Sequence, residues 1–198
     1  GTAKTVFVRR GTYTLAATQA LLSVPAGWTL QGEGTGATII KPRIGDAATT
    51  PWVCVNLSGE KARILDIGFS VRDRAATIPA VTLPLGVVSI GAKNTYVKNI
   101  YVDIPGAMAA TVEPFAAVAI STTAAYGGQI IEDVTLNMAS ATLTGDAVNT
   151  YPFCAIASGS IAAPGKFATV LADTVAEPVF SRIRILGGQC DEVASPVY

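Results

Sequence analysis

The sequence predicts an all-β solenoid of stacked parallel strands. Three observations carry this: a repeating two-strand unit, short β-branched strands between Gly/Pro turns, and no helical apolar stripe over 11 or more residues. The repeat is the strongest. Leu57-Ser58-Gly59-Glu60-Lys61-Ala62-Arg63-Ile64-Leu65-Asp66-Ile67-Gly68-Phe69 aligns without a gap on Ile90-Gly91-Ala92-Lys93-Asn94-Thr95-Tyr96-Val97-Lys98-Asn99-Ile100-Tyr101-Val102, an offset of 33 residues. A third copy runs from Ala117-Val118-Ala119-Ile120 to Ile131-Glu132-Asp133-Val134-Thr135-Leu136. A divergent fourth runs from Phe153-Cys154-Ala155-Ile156 to Phe180-Ser181-Arg182-Ile183-Arg184-Ile185. A period of this size marks supersecondary units that bury their apolar faces only by stacking.

The elements follow in chain order. Thr5-Val6-Phe7-Val8 alternates and breaks at Arg10-Gly11, and Tyr13-Thr14-Leu15 follows. Thr14 to Leu22 is predicted as a short helix that caps one end. Pro25-Ala26-Gly27 is a turn before the strand Trp28-Thr29-Leu30-Gln31-Gly32. Gly32, Gly34 and Gly36 bend the chain into Thr38-Ile39-Ile40-Lys41. From residue 52 the repeat governs. The first strand of each unit places Leu57, Ile90, Ile120 and Ile156 in one inward column, preceded by Val55, Val88, Val118 and Cys154. The second strand places Ile67, Ile100, Val134 and Ile183 in register, then Phe69, Val102, Leu136 and Ile185. The period of two sends all four columns inward. Ser70 to Leu85, Asp103 to Ala116 and Asn137 to Pro152 read as variable loops, and Ala157 to Val179 as an insertion. The chain is one domain over 1–198, with a cap and first coils in 1–45, repeated coils in 46–186 and a tail in 187–198.

Half of the 198 residues are hydrophobic and only 14% are charged, against roughly 25% in ordinary domains. Part of the outer surface must then be Ala, Thr and Ser, which suits burial against other copies or partners. The formal net charge is zero with no basic face, which argues against nucleic acid as a partner. No apolar run of about 20 residues is present, so no membrane span is expected. The sequence begins at Gly1 and enters a strand at once, which reads as a processed product or a fragment. Cys54, Cys154 and Cys190 form no zinc spacing and no disulfide framework, and histidine is absent. Cys54 and Cys154 are read as small apolar strand residues. No cofactor and no metal site are expected.

Val6-Phe7-Val8-Arg9-Arg10-Gly11-Thr12-Tyr13-Thr14-Leu15, then Val24-Pro25-Ala26-Gly27-Trp28-Thr29-Leu30-Gln31-Gly32-Glu33-Gly34, then Thr38-Ile39-Ile40, resembles the opening of the pectin-lyase-like parallel β-helix superfamily. The units Ile64-Leu65-Asp66-Ile67-Gly68-Phe69 and Val97-Lys98-Asn99-Ile100-Tyr101-Val102 resemble its coils. The resemblance covers most of residues 5 to 186. It implies a right-handed parallel β-helix of about five to six coils with an N-terminal cap segment. Such openings are common in phage tailspikes and related appendages, and in secreted polysaccharide lyases and hydrolases. The fold carries both enzymes and inert scaffolds.

Asp66, Asn99, Asp133 and Arg182 form the most conspicuous constellation, each just before the second inward strand. On successive coils the two aspartates stand roughly 9.5 Å apart, at the upper edge of the about 6.5–9.5 Å used by inverting glycosidases. Asp66 and Asp133 are therefore the candidate acid and base. Against this, Asp and Asn favour bends and left-handed backbone, and a corner ladder is the preferred reading. Glu132 beside Asp133 is a candidate carboxylate pair, but neighbours on a strand point to opposite faces. Arg182 and Arg184 on one face, or Arg72 and Arg74 on one loop, are the cations a lyase would use. Neither set has a carboxylate partner at a matching repeat position. Gly32-Glu33-Gly34-Thr35-Gly36 lacks the following helix of a phosphate cradle and reads as a turn. Tyr101 faces outward between Ile100 and Val102, flanked in its column by Gly68 and Thr135, and is the candidate sugar contact. Trp52, Tyr96 and Tyr126 are further exposed candidates.

The expected role is a non-enzymatic structural protein of a phage virion, a spike, fibre or decoration module that acts through rigid shape and subunit association. Homo-oligomers, with a trimer in view, and other virion proteins are the expected partners. The alternatives are a polysaccharide-degrading tailspike or secreted glycoside hydrolase, and a non-catalytic module that binds a cell-surface polysaccharide.

Overall fold

The computed structural model describes residues 4–15, 22–41, 52–70, 85–103, 107–109, 115–121, 127–138, 142–144, 153–159 and 179–187. Among them all regular structure is β-strand: β1 (Lys4–Phe7), β2 (Gly11–Thr14), β3 (Leu22–Val24), β4 (Trp28–Gln31), β5 (Thr38–Lys41), β6 (Trp52–Leu57), β7 (Arg63–Ser70), β8 (Leu85–Ile90), β9 (Tyr96–Asp103), β10 (Ala107–Ala109), β11 (Phe115–Ser121), β12 (Ile130–Met138), β13 (Thr142–Thr144), β14 (Phe153–Gly159), β15 (Val179–Ser181) and β16 (Arg184–Gly187). Four of these elements correct the sequence reading. The ends of the expected capping helix, Thr14 and Leu22, lie in β2 and β3; residues 16–21 are outside the described set. The segments expected as plain loops contain β10 and β13, which pair in parallel.

Spatial order follows chain order. One nine-stranded sheet runs β1, β4, β7, β9, β12, β15, with β2 and β5 beside this path at one end and β16 at the other. A five-stranded sheet runs β3, β6, β8, β11, β14. Each strand lies parallel to its counterpart from the unit before and the unit after, as in β6 with β8 and β7 with β9. Parallel neighbours cannot be joined by a tight hairpin. The chain therefore leaves one sheet, passes through the other, and returns one strand further along.

That route superimposes like residues. On the large sheet Ile64, Val97 and Ile131 share one column, Ile67, Ile100 and Val134 a second, and Phe69, Val102 and Leu136 a third. On the smaller sheet Val55, Val88 and Val118 stack, as do Leu57, Ile90 and Ile120. All fifteen are at most 1% exposed. Full burial of one aliphatic or aromatic side chain contributes about 1.5–3 kcal/mol, so these columns dominate the stabilisation. The fourth copy needs a correction. Ile156 stands opposite Val118, not Ile120, and Ser158 stands opposite Ile120. A slip of two residues keeps the same face inward, so apolar pattern alone does not fix it.

The middle of the smaller sheet is buried on both faces. Cys54, Val87, Ser89, Ala117 and Ala119 are at most 5% exposed, although their neighbours Val55, Val88, Val118 and Ile120 already fill the inward columns. Two-sided burial explains why Val53-Cys54-Val55 and Ala116-Ala117-Val118-Ala119-Ile120 read as continuous apolar runs instead of alternating. It also revises the reading of the low charge. Part of the Ala-rich sequence expected on an outer surface lies inside the chain itself.

Where the chain passes from the smaller to the larger sheet, Gly27, Lys61, Asn94 and Gly128 have left-handed backbone, with φ of 72°, 62°, 55° and 65°, and Gly127 beside the last has φ 131°. The turns are tied to one another. Gly27 N–H donates to Glu60 O at 2.9 Å and Asn94 N–H to Gly127 O at 2.8 Å. The Asn94 side-chain amide donates to Glu60 Oε1 at 2.7 Å.

Candidate functional site

The Asp66, Asn99, Asp133 and Arg182 column, read as a corner ladder with Asp66 and Asp133 as candidate acid and base, lies on the outer face of the nine-stranded sheet. Asp66, Asn99, Asp133 and Arg182 all have left-handed backbone, with φ of 60°, 53°, 54° and 53°. Strand pairing is interrupted at this column. Leu65 pairs with Lys98 and Ile67 with Ile100, while Asp66 and Asn99 between them do not pair as ladder partners. A left-handed residue breaks the alternation of the pleat. Two consecutive side chains then point outward, as the burial order Ile131 in, Glu132 and Asp133 out, Val134 in records. This corrects the expectation that Glu132 and Asp133 face opposite sides. Asp and Asn tolerate the conformation because their short side chains bond locally.

The acids of the column are bonded by neighbouring side chains. The Asp66 carboxylate accepts the Gln31 side-chain amide at 3.2 Å on one oxygen and the Asn99 amide at 2.8 Å on the other. Arg182 Nη2 donates to Asp133 Oδ2 at 2.9 Å, and Arg182 Nε donates to Oδ1, a bidentate pair. Arg182 therefore has a carboxylate partner at the matching repeat position, contrary to expectation. Asn99 occupies the strand between the two aspartates.

A second network, missed in the sequence, adjoins the column. The Tyr96 hydroxyl donates to Glu132 Oε2 at 2.7 Å, and Lys98 Nζ and Arg182 Nη2 lie 3.6 and 3.8 Å from the same oxygen. The signal was available: Lys98 and Glu132 are cross-strand neighbours of opposite charge. Arg182 bonding holds the Asp133 carboxyl below the usual aspartate range, against the opposing effect of desolvation. The Tyr96 hydroxyl, helped by Lys98 and Arg182, holds Glu132 below the usual glutamate range. Burial, then the bond to Glu132, pushes the Tyr96 phenol up. A general acid of a glycosidase needs the reverse, a carboxyl that stays protonated near neutral pH. Asp133 and Glu132 are tuned to remain ionised.

Tyr101 lies in its expected column, between Gly68 and Thr135. At Gly68 the 33–37 bend crosses the sheet so closely that an added Cβ would stand 2.1 Å from Thr35 O. The step from this bend down to Tyr101 makes an open groove of about 350 Å³ lined by Thr35, Ile39, Phe69, Tyr101 and Asp103. Asp103 accepts the Asn137 amide at 2.8 Å. Tyr96 is half-buried and engaged with Glu132, so it offers no free platform. Trp28, not among the expected platforms, carries Lys4 Nζ 5.2 Å from its ring centre.

The other expected features resolve simply. Glu33 accepts Arg10 Nε at 3.1 Å, and its N–H donates to Thr38 Oγ1 at 2.9 Å, so the Gly-rich segment is a bonded bend. Cys54 is buried, and burial pushes its thiol up to about 12, which removes the thiolate needed for nucleophilic chemistry. Arg184 is exposed on β16. Arg72, Arg74, Tyr126, Cys190 and the side chains of Trp52 and Cys154 lie outside the described set. Comparison with known proteins finds no matching family model, no matching curated protein and no matching solved structure.

Proposed function

We propose that the chain is a right-handed parallel β-helix that serves as a non-enzymatic structural module of a phage particle, acting through rigid shape and association. The handedness follows from the near-universal right-handed crossover between parallel strands of one sheet. One observation carries the non-enzymatic reading. Asp66 and Asp133, the carboxylates best placed for hydrolysis, are both engaged by neighbours in their own column. Their bonding ties them to the bends of the backbone, with Asn99 on the strand between them. The resemblance of the opening residues to phage appendages supplies the setting, and self-association, a trimer included, supplies the mechanism. The test is proteomic and enzymatic together. Particles of the encoding phage should contain the chain at structural copy number, and the purified protein should release no reducing ends from host polysaccharides. Absence from particles, or release that disappears in Asp133→Asn while the fold is retained, would overturn the proposal.

A second reading has one supporting observation, the groove beside Tyr101. An aromatic ring at the edge of an open groove fits a non-catalytic sugar contact. Loss of glycan-array binding on Tyr101→Ala would favour it, and an array without hits would remove it.

A further inference from the structure

One residue of the left-handed column is of the wrong kind for its backbone. Asp66, Asn99 and Asp133 tolerate the conformation, whereas an arginine at φ 53°, as Arg182 is, carries its full cost. Such a residue points to a gain made by its side chain. Arg182 sits at the break between β15 and β16, the two strands that pair with β12 on the side away from β9. Its guanidinium donates to both oxygens of Asp133 and lies 3.8 Å from Glu132 Oε2, so one side chain from this segment reaches both carboxylates of β12. Apolar contact at this level is weaker than in the strands before it. Phe180 and Ile185 are only partly buried, whereas Ile131 and Leu136, opposite them on β12, are fully buried. The remaining charges around the pair are Lys98 on β9, which lies 3.6 Å from Glu132 beside the Tyr96 hydroxyl, and Arg184 on β16. The side chains of Arg182 and Asp133 are 52% and 31% exposed, so dissolved ions reach them.

We propose that Arg182 is an electrostatic latch. It holds the β15–β16 segment against β12, and high ionic strength or loss of either charge opens that segment as a unit while β7 and β9 stay paired. Opening frees the backbone edge of β12. Salt screens attraction between exposed charges, whereas apolar contacts do not weaken with it. A bidentate arginine–carboxylate pair within a network is the arrangement in which a surface ion pair contributes measurably. The latch follows from pairing, burial and charge among the described residues and is independent of the role proposed above.

The test is native-state hydrogen exchange of the 198-residue chain in sodium chloride at about 0.01 M and about 1 M, where charges act over about 30 Å and about 3 Å. The amides of Val179–Ser181 and Arg184–Gly187 should exchange about two- to fivefold faster at high salt, with those of β7 and β9 unchanged. Arg182→Gln removes the charge and keeps the backbone cost. Asp133→Asn removes the opposite charge and places at this bend the residue type that Asn99 already shows there. Each variant should speed exchange of the same amides at low salt and abolish the salt effect, and the double variant should be no faster than either single one. Unchanged protection of β7 and β9 checks that the variants fold, and the salt comparison on the native chain needs no variant. Three results would overturn the proposal: no salt effect at β15 and β16, equal acceleration in every strand, or single-variant effects that add in the double variant.

Discussion

Asp66, Asn99, Asp133 and Arg182 share a backbone conformation before they share any chemistry. The left-handed region costs an ordinary L-residue roughly 1–2 kcal/mol, and Asp or Asn less. Aspartate and asparagine therefore recur at the bend for conformational reasons, and their side chains are then close enough to bond one another. The same argument identifies a residue out of place. Lys61 adopts φ 62° at a turn position that Gly27, Asn94 and Gly128 fill in other units. Lys61→Asn should raise stability by up to about 1 kcal/mol, read as a higher midpoint in chemical denaturation. Titration of the neighbouring network has a defined sign. Glu132 is depressed chiefly by the Tyr96 hydroxyl and Asp133 chiefly by Arg182, so both have lower pKa values folded than unfolded. Their stabilisation is fully present above the unfolded carboxylate range of about 4 and is lost as pH falls through the folded values. Between about pH 5 and pH 2, the melting temperature of the native chain should therefore fall more steeply than that of Glu132→Gln.

At the scale of the strand, what the sequence makes legible is the column. The gapless match of 57–69 on 90–102 appears unchanged as strand register: Leu57 opposite Ile90 and Phe69 opposite Val102. The divergent copy shows the limit, because an apolar period of two cannot distinguish Ile156 opposite Val118 from Ile156 opposite Ile120. β10 and β13 were illegible for another reason: each has three residues, too few for a pattern. The left-handed break in β7, β9 and β12 was half-legible. Asp and Asn signalled the bend, but its consequence, two successive outward side chains, appears only once the strands are paired. The 33–37 bend illustrates how tightly elements meet. Gly68 is the one residue of its column over which Thr35 O can pass, since a Cβ there would lie 2.1 Å from that oxygen. Gly68→Ala should cost about 3 kcal/mol, seen as a drop in denaturation midpoint, whereas Thr135→Ala in the same column should change it little.

Across the described residues, order of pairing equals order of sequence, and this places Asp66, Asn99, Asp133, Arg182 and Tyr101 on the exterior of one sheet. The middle of the five-stranded sheet is buried on both faces, at Cys54 and Val55, Val87 to Ile90 and Ala116 to Ile120. On the outer face of the nine-stranded sheet Asp66 is bound to amides, Glu132 to a phenol and Asp133 to a guanidinium group. The Asp/Asn column holds backbone bends. This is tested most directly by comparing the denaturation midpoints of Asp66→Gly and Asp66→Ala. Both variants remove the carboxylate and its two amide bonds, and they differ in tolerance of φ 60°. If the bend is the reason for the residue, Asp66→Gly is the more stable by about 1 kcal/mol, despite the greater unfolded-chain entropy of glycine. Equal midpoints, or a more stable Asp66→Ala, would contradict the account.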